Sequence, residues 1–229
     1  MLLDDLVRND LGGTVPPANQ YPAQRDWQTT KAAVRYRVRR SPEFDRRFHR
    51  EEAIIGRWLD LLPAGSIVLD VPCGAGRLIE PITGRGLRYI GADISPAMIA
   101  EAKEQSSSRL VEGFHHADAA RLPFADESVD CVVVWRLLHH IRDADVRKEI
   151  LGEAARVTRR MVLLSFHHSW SPAALRKKFQ RRFLGKGNGV EFTARRLARE
   201  AGEGGLRLVE TRGFRKFVSI NWFACLGKE

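Results

Sequence analysis

Short apolar runs alternate with longer amphipathic segments over most of the chain after residue 60. Apolar runs of roughly four to eight residues bounded by glycine, proline or polar clusters are typical of buried strands, whereas apolar residues repeating every three or four positions are typical of helices. The pattern predicts strands at 66–70, 88–92, 110–116, 130–135 and 161–167. It predicts helices at 75–84, 96–104, 143–157 and 193–201.

This alternation of strands and helices predicts an α/β fold. Repeated βαβ units form a mostly parallel, doubly wound sheet of the Rossmann-like type, with helices on both faces. The last stretch breaks the alternation, because 206–214 and 217–226 are two β-like runs joined by Arg215-Lys216. We expect these runs to form an antiparallel hairpin at the C-terminal edge of the sheet.

The first part of the chain has a different character. Residues 1–30 show little periodicity, and eight basic residues lie between Lys31 and Arg50. We interpret 1–42 as an N-terminal arm that precedes a single domain over 43–229. A helix is predicted near 43–61, with Ser41 as its cap and Pro42 in its first turn.

Composition narrows the class of protein. The length of 229 residues suits one sizeable α/β domain, and no apolar run is long enough for a transmembrane helix. No signal peptide is recognisable, and three scattered cysteines suit neither a disulfide framework nor a zinc site. We therefore expect a reduced, cytoplasmic protein without a bound metal. The net charge of +10 suggests an anionic partner, although a solvated basic surface explains it equally well.

An insertion at 168–190 separates the fifth predicted strand from the next helix. Leu175, Phe179 and Phe183 recur every four residues within it, and basic residues cover the other faces. This pattern predicts a basic amphipathic helix at 172–187. Two interpretations remain open: a lid that packs on the domain, or a helix that contacts an anionic substrate or the inner face of a membrane.

The stretch from Ser66 to Arg77 carries the first chemical signal. A short apolar strand ends on Asp70 and is followed by a loop with Gly74 and Gly76, an arrangement typical of nucleotide binding. Ile79 stands where the dinucleotide fingerprint needs a third glycine, and no Gly-Lys-Ser/Thr sequence follows. Dinucleotides and nucleoside triphosphates are therefore disfavoured as ligands.

The same stretch resembles the first motif of class I S-adenosylmethionine-dependent methyltransferases, and Pro72 stands where that motif usually has its first glycine. Asp93 ends the second predicted strand and Asp118 the third, as the family requires. The stretch Leu122 to His140 is similar to the family's LPF and LHH segments, especially in its ubiquinone-biosynthesis (type 11) branch. The resemblance runs from about 53 to 167 and implies a seven-stranded sheet.

The resemblance also implies the cofactor and its contacts. The Asp93 carboxylate would accept hydrogen bonds from two ribose hydroxyls, Met98 would cover the adenine, and Asp118 would face the adenine amino group. Trp135 would lie beside the cofactor, and Tyr36 would reach it from the N-terminal arm. The full predicted cofactor set is Tyr36, Asp70, Pro72, Cys73, Gly74, Gly76, Asp93, Ile94, Ser95, Met98, Asp118, Ala119 and Trp135.

Candidate catalytic residues follow the fourth and fifth strands. Methyl transfer needs a base only when the acceptor must lose a proton. His139 and His140 follow strand four and His167 ends strand five, so each could face the acceptor or be structural. Arg136 could contact an anionic substrate or be solvated. Adjacent histidines on a strand point in opposite directions, which argues against a shared metal.

Three functions compete at this point. The favoured one is methylation of a small-molecule or lipid-like acceptor, with an anionic acceptor as one option. The alternative is an RNA or protein methyltransferase that uses the basic arms, although no appended RNA-binding module or Asn/Asp-Pro-Pro-Tyr/Phe motif is present. The third is a non-catalytic scaffold that binds the cofactor.

Overall fold

The computed structural model describes residues 6–7, 42–169, 174, 190–213 and 220–229, with the backbone alone for 42–47. The strands are β1 (Ile67–Asp70), β2 (Arg88–Asp93), β3 (Val111–His116), β4 (Val129–Val134), β5 (Thr158–His167), β6 (Leu206–Gly213) and β7 (Asn221–Lys228). The helices are α1 (Pro42–Leu59), α2 (Ile79–Thr83), α3 (Pro96–Gln105), α4 (Ala144–Val157) and α5 (Ala194–Gly202), with a 3₁₀ turn at Leu138–His140.

The strands form one seven-stranded sheet in the order β3-β2-β1-β4-β5-β7-β6. The first five are parallel, and β7 is antiparallel to both β5 and β6. The predicted α/β class and the hairpin at the sheet edge are thus confirmed. The edge position itself belongs to β6, because β7 lies between β5 and β6.

Strand order reverses between β1 and β4, where ligands bind in open α/β sheets. Successive side chains of the buried strands face opposite helical layers. Val68 packs with α1 and α2, whereas Leu69 belongs to the core that includes α4 and α5. Both faces of β1 are therefore buried, which explains why its sequence before Asp70 is an unbroken apolar run.

Two element boundaries differ from the sequence prediction for physical reasons. The helix predicted at 75–84 is only α2, because Gly74 and Gly76 have φ of 53° and 78°, outside the helical region. A Cβ on Gly76 would lie 2.5 Å from the Ile79 side chain. Strand β5 begins at Thr158, three residues before the predicted start at 161. The Thr158 hydroxyl donates to the Asp130 carbonyl at 3.1 Å, which holds the start of β5 beside β4.

Several predicted features lie outside the described residues. These are Tyr36 and the Ser41 cap, the link Arg215-Lys216, and the amphipathic helix at 172–187 apart from its buried residue Ala174. Of the arm, Leu6 is buried in the core and its carbonyl accepts a hydrogen bond from Ala125 N–H at 2.9 Å. Within the described ranges no helix has the length and apolarity needed to cross a bilayer.

A buried ion pair joins α4 to α5. Arg147 is fully buried and donates to the Glu200 carboxylate at 2.8 and 2.9 Å. Its third nitrogen donates to three carbonyl oxygens at the end of the loop that carries His139 and His140, namely those of Ile141, Arg142 and Asp143. This arginine therefore anchors both the helix pair and that loop.

We expect the substitution Glu200→Gln to lower the free energy of unfolding by about 3 kcal/mol or more, since it leaves a guanidinium buried without a full counter-charge. The control is Glu203→Gln, which removes a charge from the exposed Lys148–Glu203 pair between the same two helices. That change should leave stability nearly unaltered. Urea unfolding would measure both variants, and equal effects would contradict the role given to the buried pair.

Candidate functional site

The glycine loop after β1 is held to the strands on either side. Val71 N–H donates to the Val133 carbonyl at 2.9 Å, and Cys73 N–H donates to the Ala92 carbonyl at 2.8 Å. Pro72 lies between these two anchors and follows a cis peptide bond. The loop is thus tied down on both sides of the proline, so the absence of an N–H at this position does not release it.

The Asp93 carboxylate ties this loop to the start of α3. One oxygen accepts the Gly74 N–H and the other accepts the Ser95 N–H, both at 2.8 Å. Burial raises the pKa of Asp93, and these backbone donors partly oppose the shift. Each carboxylate oxygen can accept a further hydrogen bond, so two vicinal hydroxyls would still find acceptors.

A second buried acid, Asp70, lies beneath the loop. One of its oxygens accepts the Tyr89 hydroxyl at 2.9 Å, and the other has no hydrogen-bond partner among the described residues. Burial, reinforced by the nearby Asp93 charge, raises the pKa of Asp70 to about 8. A cationic ligand beside these two carboxyls would favour their ionised forms and so lower their pKa values.

The remaining predicted cofactor residues lie around these two acids. Ser95 caps α3 by accepting the Met98 N–H, and Met98 is buried against Ala75 of the loop. Burial raises the pKa of the Cys73 thiol well above its usual value, so this cysteine is not a reactive thiolate. The Ile94 carbonyl lies 3.0 Å from His116 Nε2.

Asp118 and Ala119 form a tight turn just after β3. An oxygen of the buried Asp118 side chain accepts the Ala120 N–H at 2.9 Å. The Ala117 N–H donates to the Asp93 carbonyl at 3.0 Å, which brings this turn beside the end of β2. The Asp118 turn thus lies close to Asp93, the expected ribose ligand. A contact between Asp118 and the adenine amino group remains a prediction.

Three histidines come together where β4 and β5 end. The rings of His139 and His167 stack with centroids 3.8 Å apart, and the His140 ring is tilted against His139 at 4.2 Å. The chain after the insertion holds two of them, since Val190 N–H donates to the His139 carbonyl and Phe192 N–H to the His167 carbonyl. His139 and His167 line a pocket of about 140 Å³.

An ion pair that the sequence analysis missed forms the polar wall of this pocket. Arg136 has a φ of 54°, unusual for a residue with a side chain, and its guanidinium binds both oxygens of Glu51 at 2.7 and 2.8 Å. Glu51 is only 1% exposed and also accepts from Asn221 at 3.2 Å. The Arg136 N–H donates to the Ser165 hydroxyl at 2.7 Å.

The pocket draws on several separate parts of the chain, including the 3₁₀ turn with His139. Glu51 belongs to α1, Arg136 follows β4, Ser165 belongs to β5 and Asn221 opens β7. Phe166, Ile220 and Phe223 line the rest of it. Glu51 was detectable in principle, because it lies four residues before Ile55 and seven before Trp58 on the buried stripe of α1, where an acid is out of place.

Trp135 shares a buried cluster with Cys73 of the loop and Phe223 of the pocket. Its ring is buried in the core with α1 and contacts Phe223 at a centroid distance of 5.2 Å. Its indole N–H has no hydrogen-bond partner among the described residues. The predicted contact of Trp135 with the cofactor remains a prediction.

Comparisons with known proteins agree with this geometry. A family model described as a methyltransferase domain matches residues 68–161, from within β1 to within β5. A solved magnesium protoporphyrin IX methyltransferase from Synechocystis PCC 6803, with bound SAH, superposes with a TM-score of 0.73 at 20% identity, over 90% of this chain and 98% of that one.

Residues 68–161 are therefore a methyltransferase domain, and the matches support the class I S-adenosylmethionine-dependent kind. Among curated relatives, a 27-O-demethylrifamycin SV methyltransferase from Amycolatopsis mediterranei is 37% identical over 136 residues, 55% of this chain and 48% of the relative. A tRNA (carboxymethyluridine(34)-5-O)-methyltransferase from Arabidopsis thaliana is 31% identical over 105 residues, 46% of this chain and 24% of the relative. The chain therefore spans less than half the length of either relative.

S-adenosylmethionine is the cofactor of this methyltransferase class, and the described residues fit it. The unpartnered oxygen of Asp70, the acceptor capacity of Asp93 and the open space over Gly74, where a Cβ would meet nothing within 4 Å, are suited to a cationic ligand with a ribose diol. Over the described part of the chain no cluster of three or more histidine, cysteine or acidic side chains could hold a metal.

The substitution Asp70→Asn should change how stability depends on pH. Because folding raises the Asp70 pKa from 3.8 to about 8, the wild-type group favours the fold fully below pH 3.8, and this contribution is lost as pH rises towards 8. Between pH 5 and 8 the wild type should lose of order 1 kcal/mol per pH unit relative to the variant. Urea unfolding at both pH values measures this, and the exposed Asp145→Asn provides the control; parallel profiles of D70N and wild type would contradict the assignment.

Proposed function

We propose that the protein transfers a methyl group from S-adenosylmethionine to a hydroxyl oxygen of a small-molecule acceptor. The acceptor would occupy the pocket that Glu51, Arg136, His139 and His167 line. The observation that carries this proposal is the position of the pocket. It lies at the carboxyl ends of β4 and β5, and β4 pairs directly with β1, the strand that leads into the glycine loop. Donor and acceptor would thus meet across neighbouring strand ends.

The donor side of the reaction is assigned to the acidic loop. Bound S-adenosylmethionine supplies a methyl group on a sulfonium, which is already a good leaving group. Asp93 would hold the ribose hydroxyls, and Asp70 would favour the positive charge. The protein then has mainly to align the acceptor oxygen and to exclude water.

The stacked histidines support a role in removing the acceptor proton. The rings of His139 and His167 stack with centroids 3.8 Å apart at the wall of the pocket. A neutral imidazole nitrogen can accept a proton from a hydroxyl during transfer. His139 and His167 line the pocket and His140 is not among its lining residues, so we assign the base to the first two.

The names of the relatives favour a small acceptor. The Amycolatopsis relative acts on a demethylrifamycin, and the structural neighbour on a magnesium protoporphyrin. An RNA acceptor is the second candidate, since the Arabidopsis relative is a tRNA methyltransferase and the chain has a net charge of +10. RNA binding measured against salt separates the two: a steep loss of affinity with salt would favour RNA. Association with a membrane through 172–187 stays a hypothesis.

Substituting Asp93→Asn should weaken cofactor binding at least about tenfold, because one oxygen that accepts hydrogen bonds becomes a donor amide. Calorimetry with S-adenosylmethionine measures the change. Asp130→Asn is the control, because Asp130 lies at the opposite end of the sheet, where it accepts the Ile67 N–H. Unchanged affinity in D93N, with the fold intact by circular dichroism, would remove Asp93 from the site.

Replacing His139 or His167 by Gln should lower the turnover of a hydroxyl acceptor by about a hundredfold, the usual contribution of a general base. Release of S-adenosylhomocysteine against a panel of phenols and alcohols would measure the rate, and cofactor affinity should persist. His49→Gln, an exposed change on α1, is the matched control. Absence of turnover on every acceptor, including RNA, would favour the scaffold hypothesis instead.

A further inference from the structure

We infer that the pocket binds an uncharged single ring that carries a hydroxyl group, and that Glu51 is the residue that excludes anionic acceptors. Only the statement that this ring accepts the methyl group rests on the proposed function. The preference of the pocket for a neutral ligand can be measured without any turnover. It replaces the expectation of an anionic acceptor, which the sequence had left as one option.

The size of the pocket suits one ring. A volume of about 140 Å³ is close to the roughly 150 Å³ cavity that accommodates benzene in an engineered protein core. Most of the lining is polar, and Ile220 and Phe223 add apolar surface to it. A larger acceptor would place only its reactive ring here, with the rest of the molecule outside.

The charges of the wall argue against an anion. Among the described residues that line the pocket, Arg136 is the arginine that could attract a carboxylate, but its guanidinium already binds both oxygens of Glu51. Glu51 is buried and also held by Asn221, so it is not displaced without leaving a charge unpaired. An entering carboxylate would meet this acid and lose its hydration, whereas a neutral ring would not.

The polar groups of the wall suit a hydroxyl. Ser165 accepts the Arg136 N–H, and a hydroxyl that accepts in this way still has one hydrogen to donate. The imidazoles of His139 and His167 face the same space. A hydroxyl on the ring can therefore both accept and donate, which a methyl or halogen substituent cannot do.

Three single-ring probes separate charge from hydrogen bonding, and benzamide and benzoate have the same shape. Phenol, benzamide and benzoate would be titrated by ligand-observed NMR into the wild-type chain that is saturated with S-adenosylhomocysteine. We expect phenol and benzamide to bind and benzoate to bind about tenfold more weakly than phenol. Benzoate binding as tight as that of phenol, or no binding of phenol, would overturn the inference.

The substitution Glu51→Gln keeps the shape of the wall and removes the negative charge beside Arg136. We expect it to raise benzoate affinity about tenfold while phenol affinity changes little. The matched control is Glu52→Gln, which removes the same charge from the next residue of α1, where Glu52 faces His49 instead. The double variant Glu51→Gln with Arg136→Gln should lose the benzoate gain, and a gain that persists in it would overturn the role of Arg136.

Should Glu51→Gln fail to fold, the order of the three probes in the wild type still decides the inference. The outcomes also separate this inference from the proposed function. Ordered probe binding without methyl transfer to any acceptor would leave the pocket assignment intact and remove the enzymatic role. Methyl transfer to a carboxylate in preference to a phenol would keep the enzyme and overturn the neutral pocket.

Discussion

Chain direction is the constraint on which this site depends. Five strands run parallel, so their carboxyl ends meet at one edge of the sheet. Asp70, Asp93 and His167 each end one of those strands, and Arg136 follows another. Residues far apart in sequence thereby share one surface. Strand order reverses between β1 and β4, so the acidic loop and the pocket lie on either side of this reversal, at the ends of neighbouring strands.

Burial then gives three acids different characters at that surface. One oxygen of Asp70 has no hydrogen-bond partner among the described residues, and burial raises the pKa of this carboxyl to about 8. Asp93 has a backbone donor on each oxygen, which opposes the same effect. Glu51 is as buried as Asp70 but lies against a guanidinium. A cationic ligand would therefore favour the ionised forms of Asp70 and Asp93, whereas Glu51 already has a counter-charge in Arg136.

The parts of this architecture that sequence could predict are those carried by local signals. Asp93, Ser95 and Met98 follow a strand and begin a helix, so their positions were predictable from the chain alone. The early start expected for α2 was wrong because two glycines with positive φ interrupt the helical pattern.

The acceptor pocket depends instead on register between distant elements. Asn221 reaches Glu51 because β7 pairs with β5 so that Asn221 lies opposite His167, and nothing in the local sequence encodes that pairing. Arg136 was noticed for its charge, but its partner lies on a helix far earlier in the chain. Long-range pairing of this kind is set by packing of the whole domain, not by propensity.

The antiparallel strand β7 has a consequence for how such a protein comes into being. The acidic loop and its neighbours are complete once β1 to β4 have been made, whereas the pocket needs Ile220, Asn221 and Phe223 from the last strand. A chain emerging from the ribosome would thus carry its donor-binding residues well before its acceptor-binding ones. Within this domain, the proposed acceptor pocket would therefore be completed only after the acidic loop.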